Sequence, residues 1–279
     1  MKADCHIHMV LDGVDWKQAV ARHSIRPDEA YIRKTLAVYK SLGYTYLRDG
    51  GDRWGVGAKA REIAKDYGIT YRTPLAPLIF AGHYGAFIGQ VYENLREYAR
   101  LVTRNREQGG DFIKIMISGL MDFDRYGVLT EESLPETMIA ELIHIAHQEG
   151  MAVMAHANGI SALYAAAAGV DSVEHGAYLT EETLWAMKEK GTVWVPTLST
   201  VGNLRGTGRF SEPDVEKILE SALENVGKFH HMGGILASGT DAGAWAVPHG
   251  STTEEGYFAM AGVGENALAK GLAEIQAKF

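Results

Sequence analysis

Cysteine is almost absent. Cys5 is the single one in 279 residues, so neither an intrachain disulfide nor a zinc cage built of thiolates is available, and a reducing compartment is expected. Basic runs are missing as well. Lys and Arg number 27 against 35 Asp and Glu, a net charge of −8, and without clustered positive charge no nucleic-acid partner is expected. No apolar run approaches the roughly 20 residues that span a bilayer. The opening Met1-Lys2-Ala3-Asp4-Cys5-His6 reaches an acid and a histidine where a signal peptide needs an apolar core. The expectation is a soluble cytoplasmic protein with no membrane contact. The composition, 46% hydrophobic and 22% charged, belongs to a globular chain long enough to bury most of its apolar surface.

Short apolar or alternating runs alternate with helical patterns from end to end. Candidate strands cover 4–8, 44–48, 70–75, 112–117, 152–156, 172–175, 192–196 and 235–238. Helical patterns fall at 28–42, 56–67, 91–108, 135–149, 160–168, 181–190, 213–232 and 253–264, most of them followed by glycine. Repeated βα units of about 35 residues, with no proline- or serine-rich linker between them, predict one α/β domain over 1–279, a closed (β/α)8 TIM barrel. A doubly wound open sheet would place a G-x-G-x-x-G turn after its first strand. Here that strand runs into His6-Ile7-His8 instead.

Side chains alternate along a strand, which puts Asp4, His6 and His8 on one face and Cys5 and Ile7 on the other. Two imidazoles at the C-terminal end of a strand suit a divalent metal, with Asp4 as a supporting acid. His156 closes the fifth predicted strand, His175 closes the sixth, and Asp241 follows the eighth, all at the end where barrel enzymes keep their active sites. Four histidines and an aspartate gathered there are hard to explain by packing, because buried polar atoms without partners cost roughly 1–3 kcal/mol each.

Lys114 sits in Phe112-Ile113-Lys114-Ile115-Met116-Ile117, a strand otherwise apolar on both faces. It either snorkels out, pairs with a carboxylate such as Asp49, or faces the metal site. In the last case an ammonium about 4 Å from each cation would cost on the order of 4 kcal/mol per unit charge at an effective dielectric of 20. A neutral amine that captures carbon dioxide becomes an anionic carbamate, which bridges two cations.

These residues resemble the amidohydrolase superfamily. Asp4-Cys5-His6-Ile7-His8 is similar to its D-x-H-x-H strand, and Lys114 falls where binuclear members carry a carboxylated lysine. His156-Ala157-Asn158-Gly159, Ser172-Val173-Glu174-His175-Gly176, Val195-Pro196-Thr197-Leu198 and Ser238-Gly239-Thr240-Asp241-Ala242-Gly243 resemble the branch of imidazolonepropionase-related amidohydrolases and Xaa-Pro or Xaa-Arg dipeptidases. The accessory β-sandwich domain of that branch is not expected here, nor is its Thr-x-Asn-x-Ala helix visible in 262–279. The resemblance implies two divalent ions, zinc first with manganese, iron or cobalt as alternatives. His6, His8 and Asp241 would hold one, His156 and His175 the other, and carbamylated Lys114 would bridge them. Water between the ions has a lowered pKa and is the nucleophile. Asp241 is the implied catalytic residue, taking the water's proton and delivering it to the leaving group.

The implied substrate is a small molecule with an amide bond: a dipeptide-like compound, an N-acyl amino acid or a cyclic amide. His83, in a segment resembling the Gly-His loop of the branch, is expected to bind its carboxylate or carbonyl, with Arg48 and Tyr178 as further substrate-binding candidates. Esterase, lactonase, phosphotriesterase or mononuclear deaminase chemistry on the same scaffold is the alternative, as is a catalytically silent homologue. Homo-oligomer formation is left open.

Overall fold

The computed structural model describes residues 2–279. The strands are β1 (Lys2–Ile7), β2 (Tyr44–Asp49), β3 (Thr70–Arg72), β4 (Leu78–Phe80), β5 (Gln90–Tyr92), β6 (Ile113–Met116), β7 (Val153–Ala157), β8 (Ser172–His175), β9 (Val193–Val195) and β10 (Ile235–Leu236). The helices are α1 (Trp16–Arg22), α2 (Glu29–Ser41), α3 (Val56–Ala64), α4 (Leu95–Glu107), α5 (Glu136–Gln148), α6 (Ile160–Ala167), α7 (Glu181–Lys190), α8 (Ser199–Gly202), α9 (Glu212–His231), α10 (Thr253–Met260) and α11 (Glu265–Lys278). Asp28, Asn94 and Thr180 cap α2, α4 and α7, each accepting the backbone N–H of the third residue on. Among the described residues no helix is long and apolar enough to cross a membrane.

Every paired strand is parallel, as expected where helices connect the strands; the parallel pair β4 and β5 is the exception in being joined by a loop without a helix. One sheet runs β1-β2-β3 and the other β10-β9-β8-β7-β6-β4-β5. Backbone bonds tie β1 to the segment after β10: Cys5 N–H to Ser238 O at 2.8 Å, and Asp241 N–H to His6 O and His8 N–H to Ala242 O at 2.7 Å each. On the other side β3 and β4 replace the single predicted strand 70–75. Pro74 and Pro77 lack backbone donors and Leu75 has φ 62°, so the chain kinks between them.

Two apolar clusters hold helices against strands. A third gathers Cys5, Tyr46, Met154, Val193 and Val195 from strands that are not all neighbours, together with Leu272, Ile275 and Phe279 at the C-terminal end. α11 has no counterpart among the predicted helices. Its Gly271 lies so close to β10 that a methyl group there would overlap the Leu236 carbonyl oxygen, which is the approach that glycine permits.

Candidate metal centre

His6 and His8 owe their placement to an irregularity in β1. Asp4 lies opposite Leu47 and Ile7 opposite Asp49, so three steps on β1 match two on β2. The extra residue breaks the alternation. Cys5 therefore joins the inner cluster while its neighbour His6 also turns inward, a correction to the expected two-face pattern. Asp4 points elsewhere. Its carboxylate accepts the backbone N–H of Thr240 at 2.9 Å and the Thr240 hydroxyl at 2.6 Å, fastening the turn that leads to Asp241.

The rings follow one another across the site. Centroids are 5.3 Å apart for His8 and His6, 5.0 Å for His6 and His175, and 4.5 Å for His175 and His156. Asp241 Oδ1 lies 3.5 Å from His6 Nε2 and 3.4 Å from His8 Nε2. One donor atom each from His6, His175 and Asp241 falls within 4.8 Å of the others. His175 Nδ1 is 2.7 Å from Thr197 Oγ1, and His156 Nε2 is 3.3 Å from the Gly119 carbonyl. His175, Thr197 and Asp241 all adopt left-handed backbone conformations, with φ of 68°, 49° and 59°. Such residues cost of order 1–3 kcal/mol each and persist only where their surroundings over-determine them.

Lys114 is buried among these groups. Burial, followed by the Lys114 charge, pulls His8 and His156 down to about 3 and His6 well below the usual histidine range, and burial followed by the neighbouring His156 and His6 does the same to His175. Burial brings Lys114 itself down to about 8 and pushes Asp241 up to about 8. His6 Nε2, His8 Nδ1, Lys114 Nζ and Asp241 Oδ1 are buried without a hydrogen-bond partner. The unpaired His6 Nε2 and Asp241 Oδ1, 3.5 Å apart and with a His175 donor in reach, fit a divalent cation better than they fit a closed hydrogen-bond network.

Glu174 is the buried group that sequence reasoning missed. Its Oε2 lies 2.7 Å from His6 Nδ1, and its Oε1 accepts from Arg48 Nη2 at 2.8 Å and from the Ser172 hydroxyl at 2.5 Å. A carboxylate on Nδ1 orients the ring and leaves Nε2 as the coordinating atom. Glu174 and His175 both turn toward the site although they are adjacent, because the left-handed φ of His175 reverses its side chain.

The expectation that Arg48 binds substrate is corrected. Its side chain is fully buried, with Nε on the Cys5 carbonyl at 2.7 Å, Nη1 on Ser172 and Nη2 on Glu174, and the guanidinium lies 4.5 Å from the Phe279 ring centroid. No face remains for a ligand. Asp49, offered as a partner for Lys114, instead accepts from Met9 N–H and the Thr73 hydroxyl. Arg48→Ala strands the buried Glu174 carboxylate and is expected to lower stability by about 3–5 kcal/mol, read as a fall in the urea midpoint. A substrate-binding arginine would raise KM with the midpoint unchanged.

His83 and Tyr178 are partly exposed. His83 Nδ1 is 3.5 Å from Glu131, whose carboxylate accepts the Tyr84 N–H at 2.8 Å. The Tyr84 ring stands 5.3 Å from that of His156, so Tyr84 reaches the ring cluster where sequence reasoning singled out only its neighbour. Tyr178 packs edge-on against Tyr126 at 5.4 Å.

Comparison with known proteins covers most of this architecture. Ochratoxinase from Aspergillus niger is 25% identical over 292 residues, matching 92% of this chain and 59% of that protein, so the chain spans about three fifths of that relative's length. An uncharacterized Mycobacterium tuberculosis protein, Rv2915c, is 32% identical over 127 residues, 43% of this chain and 34% of its own. Among solved structures, a Xaa-Pro dipeptidase with bound methionine superposes with TM-score 0.71 at 22% identity, covering 99% of this chain and 72% of that one. The A. niger ochratoxinase structure gives 0.74 at 21%, covering 99% and 69%. The Amidohydrolase family model matches residues 58–271, and the chain belongs to the amidohydrolase family.

Proposed function

We propose that the chain is a metal-dependent amidohydrolase, a single closed (β/α)8 barrel over 1–279 that hydrolyses the amide bond of a small dipeptide-like, N-acyl amino acid or cyclic amide substrate. The observation that carries the reading is the set of orphaned donors on His6, His8, Lys114 and Asp241 beside the His156 and His175 rings. Closure is supported by the bonds from β1 to the segment after β10 and by Arg48 on β2 reaching Glu174 on β8.

His6, His8 and Asp241 would hold one divalent ion and His156 and His175 a second, with zinc the first choice. The unpaired Lys114 amine would add carbon dioxide, losing one proton, and the resulting carbamate would supply a further carboxylate to hold the ions. When bound, the ions supply an acidified water and polarise the scissile carbonyl. Asp241 Oδ1, with no hydrogen-bond partner of its own, takes the proton from the attacking water and delivers it to the leaving nitrogen. Glu174 keeps Nδ1 of His6 occupied. His83 and Tyr178, at the exposed margin, contact the substrate beyond the scissile bond.

Elemental analysis of protein prepared with zinc and bicarbonate is expected to give about two ions per chain. Hydrolysis of dipeptides, N-acyl amino acids and cyclic amides should disappear with chelation and return with zinc. Lactone hydrolysis without amide hydrolysis, or activity unaffected by complete metal removal, would overturn the reading.

A further inference from the structure

We infer that Glu254 is a positioning residue for His175, acting through Thr197; as a statement about metal binding this rests on the reading of His175 as a ligand. Glu254 lies in the first turn of α10 and is only 1% exposed. Its Oε1 accepts the backbone N–H of Leu198 at 2.9 Å and its Oε2 that of Ser199 at 2.7 Å. These are the two peptides directly after Thr197. The neighbouring Thr253 adds a second tie, its hydroxyl 2.9 Å from that of Ser199.

Thr197 is where that fastening matters. It is fully buried, β-branched and held at φ 49°, a conformation that branched side chains avoid unless the backbone on either side is fixed. The preceding Pro196 restricts one side, and the carboxylate of Glu254 fixes the other. A branched side chain has few rotamers, so fixing the Thr197 backbone fixes its hydroxyl, which lies 2.7 Å from His175 Nδ1. With the hydroxyl accepting, that contact holds the Nδ1-protonated tautomer and leaves Nε2 for coordination. Glu254 touches neither the imidazole nor the reacting atoms.

The test uses Glu254→Gln, Thr197→Val, Thr197→Ser and the double variant Glu254→Gln with Thr197→Val. The first readout is the pair of ring 15N shifts of His175 in metal-free protein, which reports its tautomer whether or not the chain binds metal. Glu254→Gln and Thr197→Val should both move His175 toward a mixture of tautomers, while Thr197→Ser keeps the wild-type shifts. Zinc affinity measured against a competing chelator should fall about 10-fold or more in the first two, the usual size of an outer-shell loss. The double variant should match Thr197→Val alone, because residues acting in series do not add. Unchanged His175 shifts in Glu254→Gln, with only a lowered unfolding midpoint, would reduce Glu254 to a helix cap and overturn the proposal, as would losses that multiply in the double variant. Shifts that move as expected in a wild-type background that binds no zinc would leave the positioning intact and remove the metal reading instead. Should Glu254→Gln not fold, Glu254→Asp, which keeps the charge one methylene short, takes its place with the same expected shifts.

Discussion

Lys114→Ala should leave less than one zinc per chain in place of about two, and should reduce hydrolysis by more than the roughly 10–100-fold that loss of an outer-shell partner costs. The lysine is 1% exposed in a strand whose neighbours are apolar, and its amine has no partner. An ammonium kept there would repel any cation held by the surrounding histidines, so it has to become neutral or anionic. Burial already brings it down to about 8, which gives a working fraction of free amine near neutrality for addition of carbon dioxide. The wild-type chain should accordingly carry the extra mass of carbon dioxide in native mass spectrometry, and the variant should not. Acetate or propionate fills the vacated volume with a carboxylate and should restore part of both metal and rate. A variant with full metal and full activity would make Lys114 a structural residue.

Much of this site is legible in the sequence because its donors sit at the ends of strands. His156 directly follows an apolar run, His175 closes the short strand Ser172–His175 and Asp241 comes soon after the apolar Ile235-Leu236-Ala237, and a polar residue at the C-terminal end of a strand is a strong marker in α/β proteins. What alternation alone hides is depth and reversal. Arg48 has the same signature as a ligand-binding residue, one place from the end of β2, yet its guanidinium extends inward to Glu174 rather than outward to solvent. Glu174 escapes notice because strict alternation lets only one of two adjacent residues face the site, and nothing in composition announces the left-handed φ of His175. Its available signal was a carboxylate inside the strand Ser172-Val173-Glu174-His175. The irregularity that turns both Cys5 and His6 inward is invisible for the same reason. β4 and β5 are three residues each, too short to show a period. α11 carries an apolar stripe at Leu268, Leu272 and Ile275, but glycines before and within it, Gly264 and Gly271, mask the helix in a chain read for punctuation.

Asp241→Asn should separate chemistry from assembly. The amide keeps an oxygen where Oδ1 now lies, 3.4–3.5 Å from the Nε2 atoms of His8 and His6, so the donors can still gather. It has no capacity to accept a proton from water, and the general acid/base contribution of roughly 10²–10⁴ in rate is expected to vanish. Folding should change little or improve. The carboxyl is buried with an oxygen that lacks a partner, and burial pushes it up to about 8 in the absence of cations, so a neutral amide of the same shape removes a charge that the metal-free fold disfavours. Metal-free Asp241→Asn should therefore melt at or above the wild-type temperature, while in saturating zinc, where binding stabilises the native state by mass action, the order should reverse. Zinc stoichiometry, melting temperature with and without metal, and kcat on one identified substrate decide the matter. A kcat within a few-fold of wild type would move the base elsewhere, with His175 and His83 the next groups to test; wholesale loss of zinc would make Asp241 a ligand first and leave its proton transfer to be shown another way.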